Sequence, residues 1–282
     1  MSKPITKAPL CAAALVALTA CTQMPAQSQA QAQAPAQGPE VTLTRLDCGS
    51  GSNDPRRFSD TYAYTETSKP FTFSCYVIKH GSDYMVWDTG YLPGSVPNAT
   101  NKPIADLLKQ INLTPEQVRY VGISHFHADH TGQLLPFTNA TLLIGKGDWD
   151  GVTANPPVQG ANLTGFKVWI SEKRKVEPQV LDKDVFGDGS VVMLRTPGHT
   201  PGHSSLLVRL KDKGPVILIG DLAHFQENYA ANGVPGFNYD RAQTIASLER
   251  IKQIEKNLKA TVIIQHDPRD IGKLPAFPAA AR

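Results

Sequence analysis

The sequence predicts an α/β or α+β domain built from layered sheets, and two observations lead there. Short runs that alternate or are wholly apolar, bounded by turn residues, recur along the chain, and segments with apolar residues at three- or four-residue steps stand between them. Neither pattern dominates, so helices are expected to cover sheets rather than to pack only on one another. Val41–Asp47 alternates like a strand. Phe71–Lys79 and Tyr84–Asp88 are strand-like and flank His80-Gly81-Ser82-Asp83, a hairpin turn in which His80 is expected to be solvated. Ile104, Leu107, Leu108 and Ile111 give Pro103–Ile111 helical spacing. Val118–Ser124 is a strand that runs straight into a group of histidines, and Thr141–Ile144, Val191–Arg195, Ser204–Leu210 and Val216–Ile219 are further strands. Tyr239–Leu258 is the best helix, with Ile245, Leu248, Ile251, Ile254 and Leu258 at helical steps. Thr261–Gln265 is a last strand, ending at His266. No internal repeat interrupts this order.

The first residues carry an address rather than a fold. Lys3 and Lys7 form a basic start, and Leu10–Ala17 is apolar but far shorter than the ~20 residues of a membrane-spanning helix. Leu18-Thr19-Ala20-Cys21 resembles a bacterial lipoprotein box. Residues 1–20 are therefore expected to be a signal peptide, with Cys21 the lipidated first residue of the mature chain; the alternative is an ordinary export signal cut after a later alanine. Residues 21–39 are almost all Gln, Ala, Pro and Ser, with nothing periodic to bury, and are expected to be a disordered tether. Residues 40–282 make the folded domain. A chain of 282 residues with 41% hydrophobic and 19% charged residues can bury a sizeable core without staples. Lys3 and Lys7 supply two of the three net positive charges, so the mature surface is near neutral, which argues against nucleic acid as the main partner. Contact with a membrane is expected only through the lipid. Of four cysteines, Cys11 leaves with the leader and Cys21 takes the lipid. Cys48 and Cys75 remain as an even pair in an oxidising compartment, where a disulfide and two buried thiols are both open readings.

Chemistry concentrates in Ser124-His125-Phe126-His127-Ala128-Asp129-His130-Thr131-Gly132. On an extended segment His125 and His127 point to one side, and a turn behind them brings Asp129 and His130 to a neighbouring point. One loop at a strand end can then feed two metal ions about 3.5–4 Å apart. A lone histidine is usually a surface or a satisfied core residue; three imidazoles and a carboxylate in this pattern are not. Gly132 is expected to let the chain turn tightly behind the ligands. Further ligand types follow predicted strands: His199 in Thr196-Pro197-Gly198-His199, Asp221 after Gly220, and His266 after Gln265. Loops at strand ends suit a site that must be held rigidly.

His-x-His-x-Asp-His, Gly-His, Gly-Asp and a final His, in this order and with these separations, resemble the metallo-β-lactamase superfamily from about Val41 to Asp267. The resemblance implies a four-layer αββα sandwich with the site along one edge. It implies one metal on His125, His127 and His199, a second on Asp129, His130 and His266, and Asp221 bridging both. Zinc suits nitrogen and carboxylate ligands, as do iron, cobalt and manganese. His203 is read as a supporting residue rather than a ligand.

Within the superfamily, Asp221 argues against class B β-lactamases, which usually lack a bridging aspartate. Only Asp267–Arg282 follow the last histidine, too few for the C-terminal domain of glyoxalase II, and the basic arm of RNase Z types is absent. Asp47-Cys48-Gly49, Phe58-Ser59-Asp60, the Ser74–Ile78 strand, Trp87-Asp88-Thr89-Gly90 and Thr196–His203 look most like N-acyl homoserine lactonases and their exported relatives. That resemblance implies a hydroxide shared by two cations attacking a lactone carbonyl, Asp129 returning a proton to the leaving alkoxide, and no organic cofactor. It also implies an apolar-chained lactone as small-molecule substrate, and it allows a homodimer. One departure stands out: the tyrosine that such lactonases carry three residues after the bridging aspartate is His224 here. His224 is expected to help stabilise the oxyanion. Tyr91-Leu92-Pro93, Trp149 and Phe225 are candidate acyl-chain contacts by position alone. A β-lactamase, aryl esterase or organophosphate hydrolase of the same fold is the second reading, and a lipid-tethered metal-binding module without catalysis the third.

Overall fold

Alternation along the strands decides which side chains meet, and so sets the layers. The structure, a computed structural model, describes residues 38–97 and 99–282; the expected signal peptide and nearly all of the tether lie outside the described residues. Pro39–Arg282 form a single unit. Strands β1 (Val41–Asn53), β2 (Lys69–His80), β3 (Asp83–Trp87), β4 (Thr100–Asn101), β5 (Tyr120–Gly122), β6 (Thr141–Gly145) and β7 (Val176–Gln179) form one sheet in the order β4-β1-β2-β3-β5-β6-β7. Strands β8 (Lys183–Asp184), β9 (Val191–Arg195), β10 (Ser204–Leu210), β11 (Gly214–Leu218) and β12 (Thr261–Ile263) form the other, in the order β12-β11-β10-β9-β8. The helices are α1 (Ile104–Lys109), α2 (Ala128–Thr131), α3 (Lys146–Thr153), α4 (Leu163–Ser171), α5 (Gln226–Ala231) and α6 (Arg241–Leu258).

Three apolar cores follow from period two. Tyr76 and Ile78 of β2, Met85 and Trp87 of β3, and Leu143 of β6 meet Met193 of β9, Leu206 and Val208 of β10, and Val216 and Leu218 of β11 between the sheets. The intervening residues face outward. Cys75, Val77, Val86, Val121 and Leu142 pack with Leu107, Leu108, Phe166 and Trp169 of the helices on the first sheet. Leu194, Leu207, Ile217 and Val262 pack with Leu248 and Ile251 of α6 on the second. The result is the helix–sheet–sheet–helix sandwich, and each fully buried Leu or Ile in it contributes about 1.5–3 kcal/mol of hydrophobic stabilisation. Among the described residues no helix is long and apolar enough to cross a membrane.

Strand direction places the functional loops. β9 and β11 both run antiparallel to β10, and β12 runs parallel to β11. The C-terminal ends of β9, β11 and β12 therefore lie at one end of their sheet, and His199, Asp221 and His266 follow those ends. β3 and β5 run parallel in the other sheet and deliver Asp88 and His125.

Several expectations shift for local reasons. α6 starts at Arg241 rather than Tyr239, because Asp240 adopts an extended conformation and its side chain accepts from the Gln243 N–H at 2.9 Å. β1 continues to Asn53 through a bulge at Cys48, between Asp47 and Gly49. Cys48 and Cys75, both fully buried, form a disulfide. Gly132 has ordinary helical angles (φ −61°), so no sharp turn requires it. A Cβ there would stand 2.4 Å from the Leu92 amide, so close approach of two chains is what calls for glycine. His80 is not solvated: its Nε2 lies 2.7 Å from Asp188 and its ring stacks on Phe186 at 4.2 Å.

Candidate metal centre

The chain leaves β5 at Gly122 and enters the histidine loop, which α2 closes. Ser124 N–H donates to Asp88 at 2.7 Å, and the other oxygen of Asp88 lies 3.0 Å from His130 Nδ1. Asp88 itself sits fully buried at φ +56°, an uncommon conformation for a non-glycine residue that the two contacts hold in place.

The structure brings the seven sequence-predicted ligand residues into two adjoining groups, His125, His127, His199 and Asp221, and Asp129, His130, His266 and Asp221, with the ligand atoms of each group within 4.8 Å of one another. Asp221 divides its carboxylate between them. Its Oδ2 is 3.4 Å from His199 Nε2 and 3.6 Å from His125 Nε2, while its Oδ1 is 2.8 Å from His266 Nε2 and 3.2 Å from His130 Nε2. Asp129 Oδ2 lies 3.5 Å from His266 Nε2 and 3.6 Å from His130 Nε2.

Neighbouring groups aim the imidazoles. His266 Nδ1–H donates to the Thr72 carbonyl at 2.7 Å, and His130 Nδ1–H to Asp88, which leaves each Nε2 lone pair facing inward. His203 is not in either group. Its Nδ1–H donates to the Thr196 carbonyl at 2.9 Å and its Nε2 accepts from the Asp221 N–H at 3.1 Å, so it fixes the backbone of the shared aspartate. His224 Nε2–H donates to Asp221 Oδ2 at 3.1 Å, and its ring lies between Phe58, at 4.3 Å, and His266, at 5.7 Å. Its Nδ1 is buried without a partner among the described residues.

The charges fit a cation. Burial pushes His125 and His199 well below the usual imidazole range, and His127 in the same direction. Burial also opposes charge on His130, but Asp221, Asp129 and Asp88 outweigh it and raise its pKa well above that range. Burial would raise Asp221, yet His266, His130 and His224 hold it well below the carboxylate range. Buried carboxylates facing imidazole nitrogens create a field that a divalent cation would satisfy. Inward-facing imidazole nitrogens only 2.8 Å apart, such as His125 Nε2 and His127 Nδ1, make the same demand.

Two supports lie outside the predicted residues. Asp148, fully buried at the start of α3, accepts from Phe126 N–H at 3.2 Å, Thr200 Oγ1 at 2.8 Å and Gly202 N–H at 2.6 Å. One carboxylate thus joins the loop of His125 and His127 to the loop of His199. Burial lifts its pKa to about 7 against the pull of those donors. Behind the last ligand, Asp267 accepts from the Gln226 N–H at 2.9 Å, and Arg269 bridges Asp267 to Glu227. In the sequence Asp88 is marked only by the Trp87-Asp88-Thr89-Gly90 run at a strand end, and nothing separates Asp148 from a solvated aspartate.

The ligands form one side of a pocket of about 290 Å³ that His127, Asp129, Asp221 and His224 share with Phe58, Phe71, Tyr91, Phe237, Asn53 and Arg57. Of the expected chain contacts, Tyr91 lines it. Phe225 and Trp149 do not: Phe225 is fully buried in the outer core behind Phe58 and Phe71, and Trp149 packs against that core.

Two sheets with helices outside, and a pair of histidine–aspartate groups sharing one carboxylate at their edge, define a class, and the chain belongs to it: residues 70–266 match the metallo-beta-lactamase superfamily. The N-acyl homoserine lactonase AttM of Rhizobium radiobacter is 32% identical over 169 residues, which are 58% of this chain and 63% of that protein. The chain thus spans less than two thirds of that relative's length. An N-acyl homoserine lactonase of a Bacillus species is 28% identical over 214 residues, 68% of this chain and 80% of the relative. A crystal structure of a Bacillus thuringiensis AiiA variant with N-decanoyl-L-homoserine bound at the active site superposes with a TM-score of 0.73 at 23% identity, covering 86% of this chain and 100% of that one. AidC, a dizinc quorum-quenching lactonase in complex with a product, gives 0.66 at 16% identity, covering 86% and 90%. At these identities the two structures speak for the fold alone.

Two outcomes follow from the supports. Asp148→Asn keeps the size but offers one acceptor oxygen to three donors, so metal retention at the His125, His127 and His199 group should weaken by about tenfold or more, read by chelator competition with the fold checked by circular dichroism. An unchanged competition midpoint would refute it. The Arg269 fork lowers the Glu227 pKa to about 2 from an ordinary value of 4.5, against partial burial. A depressed carboxylate stabilises the fold above its unfolded pKa and loses that contribution as pH falls through the window between the two values. Acid unfolding of Glu227→Gln should therefore be flatter than wild type between pH 4.5 and about 2, by a modest amount because the pair is half exposed.

Proposed function

We propose that this protein is a metal-dependent hydrolase that opens N-acyl homoserine lactones, carries two zinc ions, and works outside the cytoplasm on a lipid anchor at Cys21. The observation that carries the catalytic part is the carboxylate of Asp221, shared between two complete ligand groups at the side of an open pocket. The names of the relatives support the substrate class. Zinc is favoured by the imidazole and carboxylate donors, with iron, cobalt and manganese as the other fillings an elemental analysis would distinguish.

Bound at His125, His127 and His199 and at Asp129, His130 and His266, two divalent cations would supply Lewis acidity and a water whose pKa drops from about 15.7 toward about 7. The chain's own contributions are positional. Asp221 holds the two groups in register. Asp129, the ligand carboxylate more open to the pocket at 14% side-chain exposure, is placed to carry a proton to the oxygen that leaves as the ring opens. His224 spends its Nε2–H on Asp221 and keeps Nδ1 buried, so it acts on the reaction by holding that carboxylate rather than by meeting the substrate oxyanion. Phe58, Phe71 and Phe237 exclude water from one wall.

Export is supported by the leader pattern and by the Cys48–Cys75 disulfide, a bond that persists in oxidising compartments.

The purified, metal-loaded protein should release acid from N-acyl homoserine lactones in a pH-stat, lose that activity on chelation and regain it with zinc. Nitrocefin and paraoxon in the same panel separate the β-lactamase and phosphotriesterase readings, and no ring opening across several acyl lengths would reject the proposal. In cells, Cys21→Ser should move the protein from the membrane to the soluble periplasmic fraction and abolish palmitate labelling; an unlabelled, soluble wild type would reject the anchor.

A further inference from the structure

The pocket wall that carries the aromatic rings is not wholly apolar. Arg57 and Asn53 line it beside Phe58, Phe71 and Phe237. The Arg57 guanidinium lies 5.5 Å from the centroid of the Phe237 ring. Its neighbour Arg56 is engaged by Asp54 at 2.6 Å, whereas Arg57 forms no ion pair among the described residues.

The main chain fixes the two segments from which Arg57 and Phe237 project, and Arg57 itself is exposed. Arg57 belongs to a short 3-10 turn, Pro55–Phe58, whose carbonyls hold other segments: Arg57 C=O accepts from Gly236 N–H at 3.1 Å and Phe58 C=O from Asn228 Nδ2 at 2.8 Å. Asp60 N–H donates to the Val234 carbonyl at 2.8 Å, so the turn and the loop carrying Phe237 move together. A guanidinium that is held over a ring and unpaired, at the edge of a pocket, presents a planar set of donors to whatever enters. The carboxylates in that pocket, Asp129 and Asp221, are occupied by the ligand groups.

We propose that Arg57 is a specificity-determining residue that recognises an oxygen acceptor on the acyl arm of the substrate, so that lactones with a 3-oxo acyl chain are preferred over those with a plain chain of the same length. This rests on the lactonase reading and refines it. The aromatic wall accepts the hydrocarbon part of the chain, and the guanidinium donates to the ketone oxygen near the amide. The homoserine ring is left for the ligand groups. Arg57 has no part in ring opening and acts through binding, so its contribution falls on KM.

The test compares kcat/KM for N-hexanoyl and N-3-oxohexanoyl homoserine lactone in wild type, Arg57→Met and Arg57→Lys, all metal-loaded. Wild type should prefer the 3-oxo compound by about five- to tenfold, the effect of one charge-assisted hydrogen bond at a site open to water. In Arg57→Met, which keeps the apolar stem, the ratio should fall to near one, with the loss in KM; Arg57→Lys, a point charge without the fork, should fall between. The ratio is internal to each variant, so partial misfolding does not disturb it. A wild-type ratio near one, a preference that survives in Arg57→Met, or an equal loss on both substrates would overturn the proposal while leaving the lactonase reading intact. Failure of wild type on both lactones would instead sink that reading, and this one with it.

Discussion

A single carboxylate organises this molecule. Asp221 is 3% exposed, and its two oxygens face five imidazoles. Burying an unpaired carboxylate is costly, and in this setting the cost is offset only by positive charge close to both oxygens. The fold answers by ringing the carboxylate with imidazoles and setting His130 among Asp221, Asp129 and Asp88, an arrangement that suits cations. Much of the surrounding structure serves to keep Asp221 from turning. His203 holds its backbone and His224 its side chain, and the turn that bears it follows a strand buried on both faces.

The second constraint is that ligands come from both sheets. His125, His127, Asp129 and His130 follow β5 of the first sheet, and His199, Asp221 and His266 follow strands of the second. A small shift of one sheet against the other would misplace the two groups relative to the shared carboxylate. The core between the sheets, with Tyr76, Met85, Trp87, Met193 and Leu206, resists such a shift because interdigitated side chains have few alternative packings. Asp148 adds a direct tie across the same seam. Stability and chemistry are therefore coupled through packing, and the clamp is as much part of the site as the ligands it never touches.

Nine strands and the two candidate ligand groups are legible in the sequence; the short edge strands β4, β7 and β8 and the supports are not. Period two in β2, β9, β10 and β11 states which residues meet, because strand geometry leaves no choice of face. His125, His127, Asp129 and His130 were visible because that density of ligand types has no structural use. Helices α3 and α4 carry no clear helical pattern: Gly147 and Gly151 break the first, and Gly165, Val168 and Ile170 weaken the second. Both exist because tertiary contacts override propensity, through Phe166 and Trp169 in the outer core and Gly145 and Gly147 against Gly202 and Pro201. Asp148 looks in sequence like any surface aspartate, and Asp88 stands out only through the run around it. Phe225 was a reasonable pocket residue beside His224, yet consecutive residues in an extended segment point apart, and it is Phe58 from a distant turn that covers the histidine.

That last displacement separates two kinds of information in the chain. The candidate metal ligands sit at the ends of strands, where the sheets fix them and the motif can be read. Part of the pocket wall comes from the Pro55–Phe58 turn and the segment around Phe237, joined by backbone hydrogen bonds and by the Arg241–Asp60 pair, and neither contributes a candidate ligand. Side-chain changes in those two segments can alter what enters while the strand ends still place the candidate ligands, although the segments also touch the site: Phe58 meets His224, Phe237 meets His199, and the Tyr239 N–H donates to the His199 carbonyl at 3.2 Å. A sequence reading that starts from ligands will therefore find the reaction class before the substrate, and the substrate must be sought in segments whose residues acquire meaning only once the fold has brought them to the pocket.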